Sequence, residues 1–344
     1  MKMMSIPVAM GCALSAAIPS LAAKTSAYAV ENKIHVEGDL GWDLLTTDDS
    51  AGIVYLSHGD RVQAVDVQSG KLLGTISGIN GAHGVALVPE AGKGFATSGK
   101  DSTVVLFDTK TFATLARLPA GGLKPDAIIY DAASKRVFVG LADGNALSAI
   151  DVATSKIVGT VALAGNPELM AVDGKGTLYV AIENKSQVVS IDTKNLKVNA
   201  TWPLAPGEEP TGLALDPVTN KLFAGCSNHL LVVLDAGSGK VVTHLPVGDH
   251  IDGVVFDAGL KRAYASGGDG TLTVIQEDGA KFSVLETVAT KKGARTIAID
   301  AKTHHLYLPT ADYGPLPAAT AEHPKPRPPV LPGTFTVLDV SPAH

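Results

Sequence analysis

Apolar and polar residues alternate along the chain in short runs that end at turn-forming residues. The stretch EEPTGLALDPVTNKLFAG, residues 208–225, consists of an apolar run, a turn at Asp216 and a second run with an aromatic residue near its start. The same pattern returns as KPDAIIYDAASKRVFVG and as ARTIAIDAKTHHLYLP. Period-two alternation over short runs bounded by Gly, Pro, Asn and Asp predicts β-strands joined by tight turns.

The strand-turn pattern occurs seven times at intervals of 41 to 43 residues. Its turn residues are Asp48, Pro89, Asp131, Asp173, Asp216, Asp257 and Asp300. An acidic residue also ends a later strand of each repeat, at Asp66, Asp108, Asp151, Asp192, Asp235, Glu277 and Asp339. Four short strands in a repeat of about 42 residues are typical of a β-propeller blade. We therefore predict an all-β fold, a seven-bladed β-propeller with four-stranded antiparallel blades.

The two ends of the chain each carry part of a blade. The segment KIHVEG, residues 33–38, precedes the first repeat, and the last repeat ends after GTFTVLDV, residues 333–340, without a fourth strand. An N-terminal strand that completes the last blade would close the ring and cover an exposed strand edge. We expect one propeller domain over residues 30–344, because stacked repeats bury one continuous core.

Several second strands contain weakened forms of a Tyr-Val-Thr-Asn phrase, namely YLSH at 55–58, FATS at 95–98 and YVAI at 179–182. With the seven-fold repeat, these phrases make the chain resemble the YVTN-type, YncE-like seven-bladed propellers that bacteria export. The resemblance covers nearly the whole chain after the N-terminus and implies a fold rather than a ligand. Such relatives often have a cysteine before the Glu-Glu-Pro phrase that could face Cys226, whereas this chain has Gly207 there.

The N-terminal sequence has the features of a secretory signal peptide. A lysine near the start is followed by an apolar stretch and small residues, which predicts a signal over residues 1–22, with cleavage as late as residue 27 as the alternative. We therefore expect a periplasmic or secreted protein. Cys12 lacks the leucine of a lipoprotein cleavage box, so no lipid anchor is expected. No later run of 18 apolar residues predicts a transmembrane helix.

The composition narrows the expected partners. The 344 residues carry a net charge of −6, and aromatic residues make up 5% of them. An acidic chain with few aromatic residues is a poor binder of nucleic acid, because binding needs basic patches for the phosphates and aromatic rings for stacking. The sequence contains no Gly-x-Ser-x-Gly elbow, phosphate-binding loop, haem-attachment motif or dinucleotide fingerprint. We expect a monomer that binds a small molecule or a protein.

In a propeller, the loops that enter the first strands surround the mouth of the central channel, where ligands usually bind. The residues five positions before the turn residues belong to this mouth: Asp43, Gly84, Asp126, Glu168, Thr211, Asp252 and Arg295. Crowded carboxylates repel one another. On one interpretation, some of them bind a cation, hold a proton at raised pKa or pair with Arg295. On the alternative interpretation, they cap strands and stay solvated. On the cation hypothesis, the metal ligands are Asp126, Glu168 and Asp252.

Four histidines, His58, His83, His229 and His250, fall in loops or at strand ends on the same predicted face. Together with carboxylates from other loops they would bind zinc, manganese or copper; alternatively, they hydrogen-bond the loop backbone. Cys226 is either a soft metal ligand near them or a small apolar residue at a strand end. The sequence therefore contains candidate ligands for a divalent metal. It does not identify which cofactor, if any, the protein binds.

A proline-rich insertion, residues 311–333, separates the second and third strands of the last blade and falls on the channel face. Its seven prolines disfavour further strands, because proline has no N–H to donate. Three roles fit the insertion: a lid that directs Tyr313, His323, Lys325 and Arg327 at a ligand, a proline-rich surface for a partner, or a loop packed on its own blade.

Two functions fit these features. The first is a binding or scaffold protein that holds a small ligand, a metal or a protein partner at the channel mouth. Its predicted ligand-binding residues are Asp43, His58, His83, Asp126, Glu168, Asp252, Arg295 and Tyr313. The second is a metal-assisted lactonase or other hydrolase in which Asp126, Glu168 and Asp252 hold the metal. Its candidate catalytic residues are Asp252, Arg295 and either His83 or His250, one of which would move a proton.

Overall fold

Each repeat folds into antiparallel strands in the computed structural model, which describes residues 27–320 and 326–343. The strands in chain order are β1 (Tyr28–His35), β2 (Trp42–Asp48), β3 (Ile53–His58), β4 (Arg61–Asp66), β5 (Leu72–Ile76), β6 (Ala82–Val88), β7 (Lys93–Ser98), β8 (Thr103–Asp108), β9 (Thr114–Pro119), β10 (Pro125–Asp131), β11 (Arg136–Leu141), β12 (Ala146–Asp151), β13 (Lys156–Ala162), β14 (Pro167–Val172), β15 (Thr177–Ile182), β16 (Gln187–Asp192), β17 (Lys197–Pro203), β18 (Pro210–Asp216), β19 (Lys221–Cys226), β20 (Leu230–Asp235), β21 (Val241–Pro246), β22 (Ile251–Asp257), β23 (Arg262–Gly267), β24 (Thr271–Asp278), β25 (Lys281–Ala289), β26 (Ala298–Asp300), β27 (His305–Thr310) and β28 (Thr336–Pro342). Pro89–Ala91 and Glu183–Lys185 form short 3-10 helices in turns of blades two and four.

Some predicted features lie outside the described residues. These are the signal peptide over residues 1–22, Cys12, His323 and Lys325. In the part of the chain that the structure does describe, no helix is both long and apolar enough to cross a bilayer.

Seven four-stranded sheets form a closed ring, and both ends of the chain contribute to the seventh sheet. The first strands of successive blades contact one another, and β26 returns to contact β2. Blades one to six use consecutive strands, from β2–β5 to β22–β25, whereas blade seven has the order β1-β28-β27-β26. β1 pairs antiparallel with β28, with Tyr28 opposite Pro342 and His35 opposite Thr336. The predicted closure by an N-terminal strand is confirmed.

Tyr28 connects this closing strand to blade six. Its hydroxyl oxygen lies 2.7 Å from that of Tyr264, and Nη1 of Arg262 donates a hydrogen bond to it at 2.7 Å. The two tyrosine rings pack edge to face, and Tyr28 is 1% exposed. The backbone N–H of Ala27 also donates to Oε2 of Glu286 at 2.7 Å. Among the described residues, the contacts that close the ring therefore include Ala27, the first of them.

Aspartates recur at the turns because an aspartate carboxylate accepts backbone N–H groups two and three residues later. Oδ1 of Asp192 accepts the N–H groups of Lys194 and Asn195 at 2.9 and 2.8 Å. The hydrogen bonds from the backbone and side chain of Asn195 favour the ionised form and lower the pKa of Asp192. Asp66 accepts the N–H and hydroxyl of Ser69 at the equivalent turn of blade one. The repeated aspartates therefore stabilise the turns.

The aromatic residue near the start of the second strand lies in the core between blades. Tyr55, Phe95, Phe138, Phe223 and Tyr264 are 0% exposed. Aliphatic side chains of adjacent blades pack around these rings. Burial of one Val, Leu or Ile side chain contributes about 1.5–3 kcal/mol. Contacts between blades therefore stabilise the ring and hold the first strands in position around the channel.

Candidate functional site

The second residue of the first strand lies at the channel mouth, where a β-bulge interrupts the strand pairing in blades one to six. In β6 the register shifts between Ala82 and Val85, and in β10 it shifts between Pro125 and Ile128. Bulges redirect side chains and are common beside functional sites. His83 and the other mouth residues therefore do not follow the regular alternation of their strands.

Hydroxyl groups of neighbouring blades fix the backbone of these residues. Oγ1 of Thr97 donates to the backbone carbonyl of Asp126 at 2.8 Å, and Oγ1 of Thr296 donates to that of Asp43 at 2.9 Å. Each bond crosses from one blade to the next. Side chains that project from such a backbone keep their spacing, which is what a binding site needs.

Asp43, His83 and Asp126, from blades one, two and three, form one cluster, which we call the mouth cluster. Nδ1 of His83 lies 2.7 Å from Oδ2 of Asp43 and 3.7 Å from Oδ1 of Asp126. One ligand atom of each residue lies within 4.8 Å of the others. Gly99 leaves room for the imidazole, because a Cβ there would lie 2.6 Å from Nε2. Two carboxylates and an imidazole are donors that zinc and manganese accept.

Apolar residues that are next to mouth residues in the chain pack together across blades. Leu44 of blade one packs against a hydrophobic cluster of blades three and four that contains Ala127 and Met170. Leu169 packs against the same hydrophobic cluster. Each of Asp43, Asp126 and Glu168 is therefore followed in the chain by an apolar residue that packs in this hydrophobic cluster.

This environment changes the protonation of the mouth residues. Burial raises the pKa of Asp126. Burial, together with the charges of Asp126 and Glu183, raises the pKa of Glu168 to about 8. Burial alone would lower the pKa of His83, but the hydrogen bond to Asp43 and the charge of Asp126 raise it instead. The raised pKa of Glu168 favours its neutral form and the raised pKa of His83 favours its charged form, and both effects reduce the repulsion among the carboxylates.

Arg295 neutralises the other side of the mouth. Its guanidinium forms a direct ion pair with Asp252 and lies 3.9 Å from Oδ1 of Asp43. Asp252 is therefore engaged by a cation, and the structure groups Asp126 with Asp43 rather than with Asp252. Among the described residues, the predicted ligand set of Asp126, Glu168 and Asp252 does not converge on one point, whereas the mouth cluster does.

His58, predicted as a ligand-binding residue, is buried in the protein. It is 1% exposed, with Nδ1 lying 2.7 Å from Oε1 of Gln63 and Nε2 lying 2.9 Å from the carbonyl oxygen of Leu40. Its ring packs on Phe335, with the ring centroids 4.1 Å apart. Both ring nitrogens have protein partners, so His58 connects β3 to β4 and to the loop before β2.

Cys226 is buried at the end of β19. It is 0% exposed, and burial raises the pKa of its thiol to about 12, so the thiol stays protonated. A Cβ at Gly207 would lie 2.6 Å from the sulfur, so the two positions face each other as the resemblance to exported propellers implies. With glycine at that position, Cys226 packs as a small apolar residue among aliphatic side chains.

The proline-rich insertion starts and ends as a short ribbon beside the mouth. The N–H of Gly314 donates to the carbonyl of Pro329 at 2.8 Å. Next to Gly314, the ring of Tyr313 packs on the ring of Trp42 in blade one, with the ring centroids 6.2 Å apart. Burial raises the pKa of Tyr313, although the nearby positive charge of Arg295 opposes this shift. The ribbon therefore places Tyr313 on the Arg295 side of the mouth.

Replacement of Glu168 by glutamine tests the protonation of the mouth. The pKa of Glu168, about 8 in the folded protein, exceeds its ordinary value of 4.5, so the free energy of unfolding falls as the pH rises from 4.5 through 8. Glu168→Gln should remove this decline and melt at a higher temperature than the wild type at about pH 9. Thermal melts over this pH range measure the difference, with the exposed Glu208→Gln as control. Identical melts of Glu168→Gln and wild type would show that Glu168 is ionised in the fold.

No family model and no curated protein matches the sequence. Solved structures do match. A chain of Kuenenia stuttgartiensis hydrazine synthase is similar with a TM-score of 0.69 and 17% identity, over 80% of this chain and 94% of that chain. A chain of a mitotic checkpoint complex gives a TM-score of 0.75 at 13% identity, over 99% of both chains. U3-55K gives a TM-score of 0.74 at 8% identity, over 90% of this chain and 98% of that chain. Identities this low show the fold alone, and that fold is the seven-bladed β-propeller.

Proposed function

We propose that this protein is a periplasmic or secreted propeller of the YVTN type that binds a divalent transition-metal ion at its channel mouth. The observation that carries the proposal is the mouth cluster, in which one ligand atom each of Asp43, His83 and Asp126 lies within 4.8 Å of the others. Three protein ligands leave one position of a tetrahedral zinc site for another molecule. The mouth thereby holds a small ligand through the metal.

Metal binding at this cluster displaces protons. Nδ1 of His83 faces the carboxylate of Asp43 and must lose its proton before it coordinates a metal. The added positive charge also favours the ionised form of Glu168, which is protonated at neutral pH. Because both steps release protons, the affinity for the metal increases with pH.

Titration calorimetry of chelator-stripped protein with Zn²⁺ and Mn²⁺ tests this proposal. We expect one ion at the mouth cluster, a heat that depends on the buffer because protons are released, and an affinity that increases between about pH 6 and pH 8. Ca²⁺ is the control, and it should bind more weakly because it prefers six to eight oxygen ligands. The proposal fails if neither Zn²⁺ nor Mn²⁺ binds, or if Ca²⁺ binds as tightly as Zn²⁺.

The N-terminal sequence supports export, and the closing strand supports one of the two cleavage positions. Ala27 donates its N–H to Glu286, and its carbonyl accepts the N–H of Ala343 at 2.9 Å. Cleavage after residue 27 would remove these contacts, so we propose cleavage after residue 22. N-terminal sequencing of the exported protein checks this position.

The proline-rich insertion supports a protein partner on the same face. Its base is anchored at Tyr313 and Gly314, and residues 315–320, which follow this base and include Leu316, are exposed. One structural neighbour belongs to a mitotic checkpoint complex. We propose that a monomer of this protein presents the insertion to a partner beside the metal-binding mouth.

A metal-assisted hydrolase acting on a lactone or a related ester is the second candidate. Glu168 favours it, because a carboxyl group with a pKa of about 8 is protonated at neutral pH and can donate a proton to a leaving oxygen. A metal at the mouth would polarise the carbonyl group. Ester hydrolysis that requires zinc or manganese and falls in Glu168→Gln would support this candidate. Lack of turnover with either metal would leave the binding function.

A further inference from the structure

Asp249 and two histidines form a second cluster on the rim, between blades five and six. Nδ1 of His250 lies 2.8 Å from Oδ1 of Asp249, and Nδ1 of His229 lies 3.6 Å from the same oxygen. The side chains of His250 and His229 are 76% and 61% exposed, so solvent reaches both imidazoles. We call these three residues the rim cluster. It belongs to different blades from the mouth cluster.

The two histidines occupy turn positions that recur around the ring. The residue before the third strand has a positive φ in blades two to six, and His229 takes this position with a φ of 60°. The residue before the first strand has a positive φ in four blades, and His250 takes this position with a φ of 55°. Equivalent residues include Ser102, Asn145 and Ser186 at the first position and Lys124 and Glu209 at the second. The turn geometry therefore does not require histidine.

Backbone hydrogen bonds hold both turns in place. The carbonyl of His229 accepts the N–H of Val247 at 3.0 Å, and that of His250 accepts the N–H of Gly268 at 3.1 Å. The two Cα atoms are therefore fixed by the fold while the exposed rings remain able to turn about their side-chain bonds. The three ligand atoms do not all lie within 4.8 Å of one another, so the two rings turn about their side-chain bonds to converge on one ion. Because the backbone is fixed, this convergence has a small entropic cost.

We propose that His229, Asp249 and His250 bind a late first-row divalent cation, with Cu²⁺ bound more tightly than Zn²⁺. Each imidazole supplies a nitrogen lone pair, Asp249 supplies a charged oxygen, and water completes the coordination. Imidazole suits both metals, and Cu²⁺ has the highest affinity among the divalent ions of this row. The site is a surface site whose occupancy does not depend on the mouth cluster.

Electron paramagnetic resonance of bound Cu²⁺ tests the rim cluster. The protein is a tag-free chain from residue 23, which contains every described strand, with His83→Ala to remove the mouth cluster's imidazole. We expect hyperfine splitting from two imidazole nitrogens. Further replacement of His229 or His250 by alanine should leave one nitrogen and lower the affinity by more than about tenfold, because even indirect partners of metal ligands contribute 10- to 100-fold.

The matched control is His244→Ala, which removes an exposed histidine from the outer strand β21. It should leave the affinity and the spectrum unchanged, and circular dichroism confirms that each variant is folded. The proposal is overturned if His229→Ala and His250→Ala bind Cu²⁺ as His244→Ala does, or if the spectrum shows no imidazole nitrogen. Zn²⁺ binding at the mouth cluster is tested separately, by its loss in His83→Ala. The proposals for the mouth cluster and for the rim cluster can therefore fail independently.

Discussion

A chain that begins at residue 37 is expected to lose at least about 5 kcal/mol of unfolding free energy relative to a chain that begins at residue 27. The shorter chain lacks β1 and therefore the buried side chains of Tyr28, Ile34 and Val36, which are 1% to 4% exposed. Burial of a side chain of this size contributes about 1.5–3 kcal/mol. The deletion also uncovers the edge of β28, and an uncovered edge pairs with other chains.

Urea unfolding measures the difference in free energy between the two chains, and light scattering measures aggregation. The chain from residue 27 is the matched control, because it keeps β1 and the hydrogen bonds of Ala27. Arg262→Ala removes the donor to the Tyr28 hydroxyl but keeps the strand, so its stability should lie between those of the two chains. Equal stability of the chains from residues 27 and 37 would contradict closure by the N-terminal strand.

His83→Ala is expected to weaken Zn²⁺ binding at the mouth by at least about 100-fold, since indirect partners of metal ligands already contribute 10- to 100-fold. The variant loses the one nitrogen ligand of the mouth cluster. It also leaves Asp43 and Asp126 without the imidazole that lies between them, so their mutual repulsion increases. Competition with a coloured chelator measures the affinity.

Asp252→Asn separates the mouth cluster from the ligand set expected from the sequence. Asp252 is paired with Arg295 and lies outside the mouth cluster, so this variant should keep the Zn²⁺ affinity within about tenfold of the wild type. A loss as large as that of His83→Ala would instead support Asp126, Glu168 and Asp252 as the metal ligands. Thermal melts confirm that both variants are folded.

The fold could be predicted from the sequence because its signals are local. The carboxylate of Asp216 accepts the N–H groups of Val218 and Thr219, so the turn depends on residues that are adjacent in the chain. Phe223 has its place in the same repeat and is 0% exposed. Seven copies of such signals indicate blades whose order around the ring follows the order of the chain.

The candidate site could be predicted only in part, because it depends on contacts between blades. The repeat places Asp43 and Asp126 at the mouth, but their convergence on His83 depends on the bulges of the first strands. Counting five positions back from the turn residue of blade two predicts Gly84 as its mouth residue, whereas His83 is one residue earlier. The burial of His58 depends on Phe335, which comes from the other end of the chain.

X-ray diffraction from crystals soaked in Zn²⁺, collected at the zinc absorption edge, tests the central claim most directly. We predict an anomalous difference peak about 2.0–2.2 Å from Nδ1 of His83 and from one carboxylate oxygen each of Asp43 and Asp126. A peak bound by Asp252 and Glu168 without His83, or no peak at the mouth cluster in zinc-saturated crystals, would contradict the account.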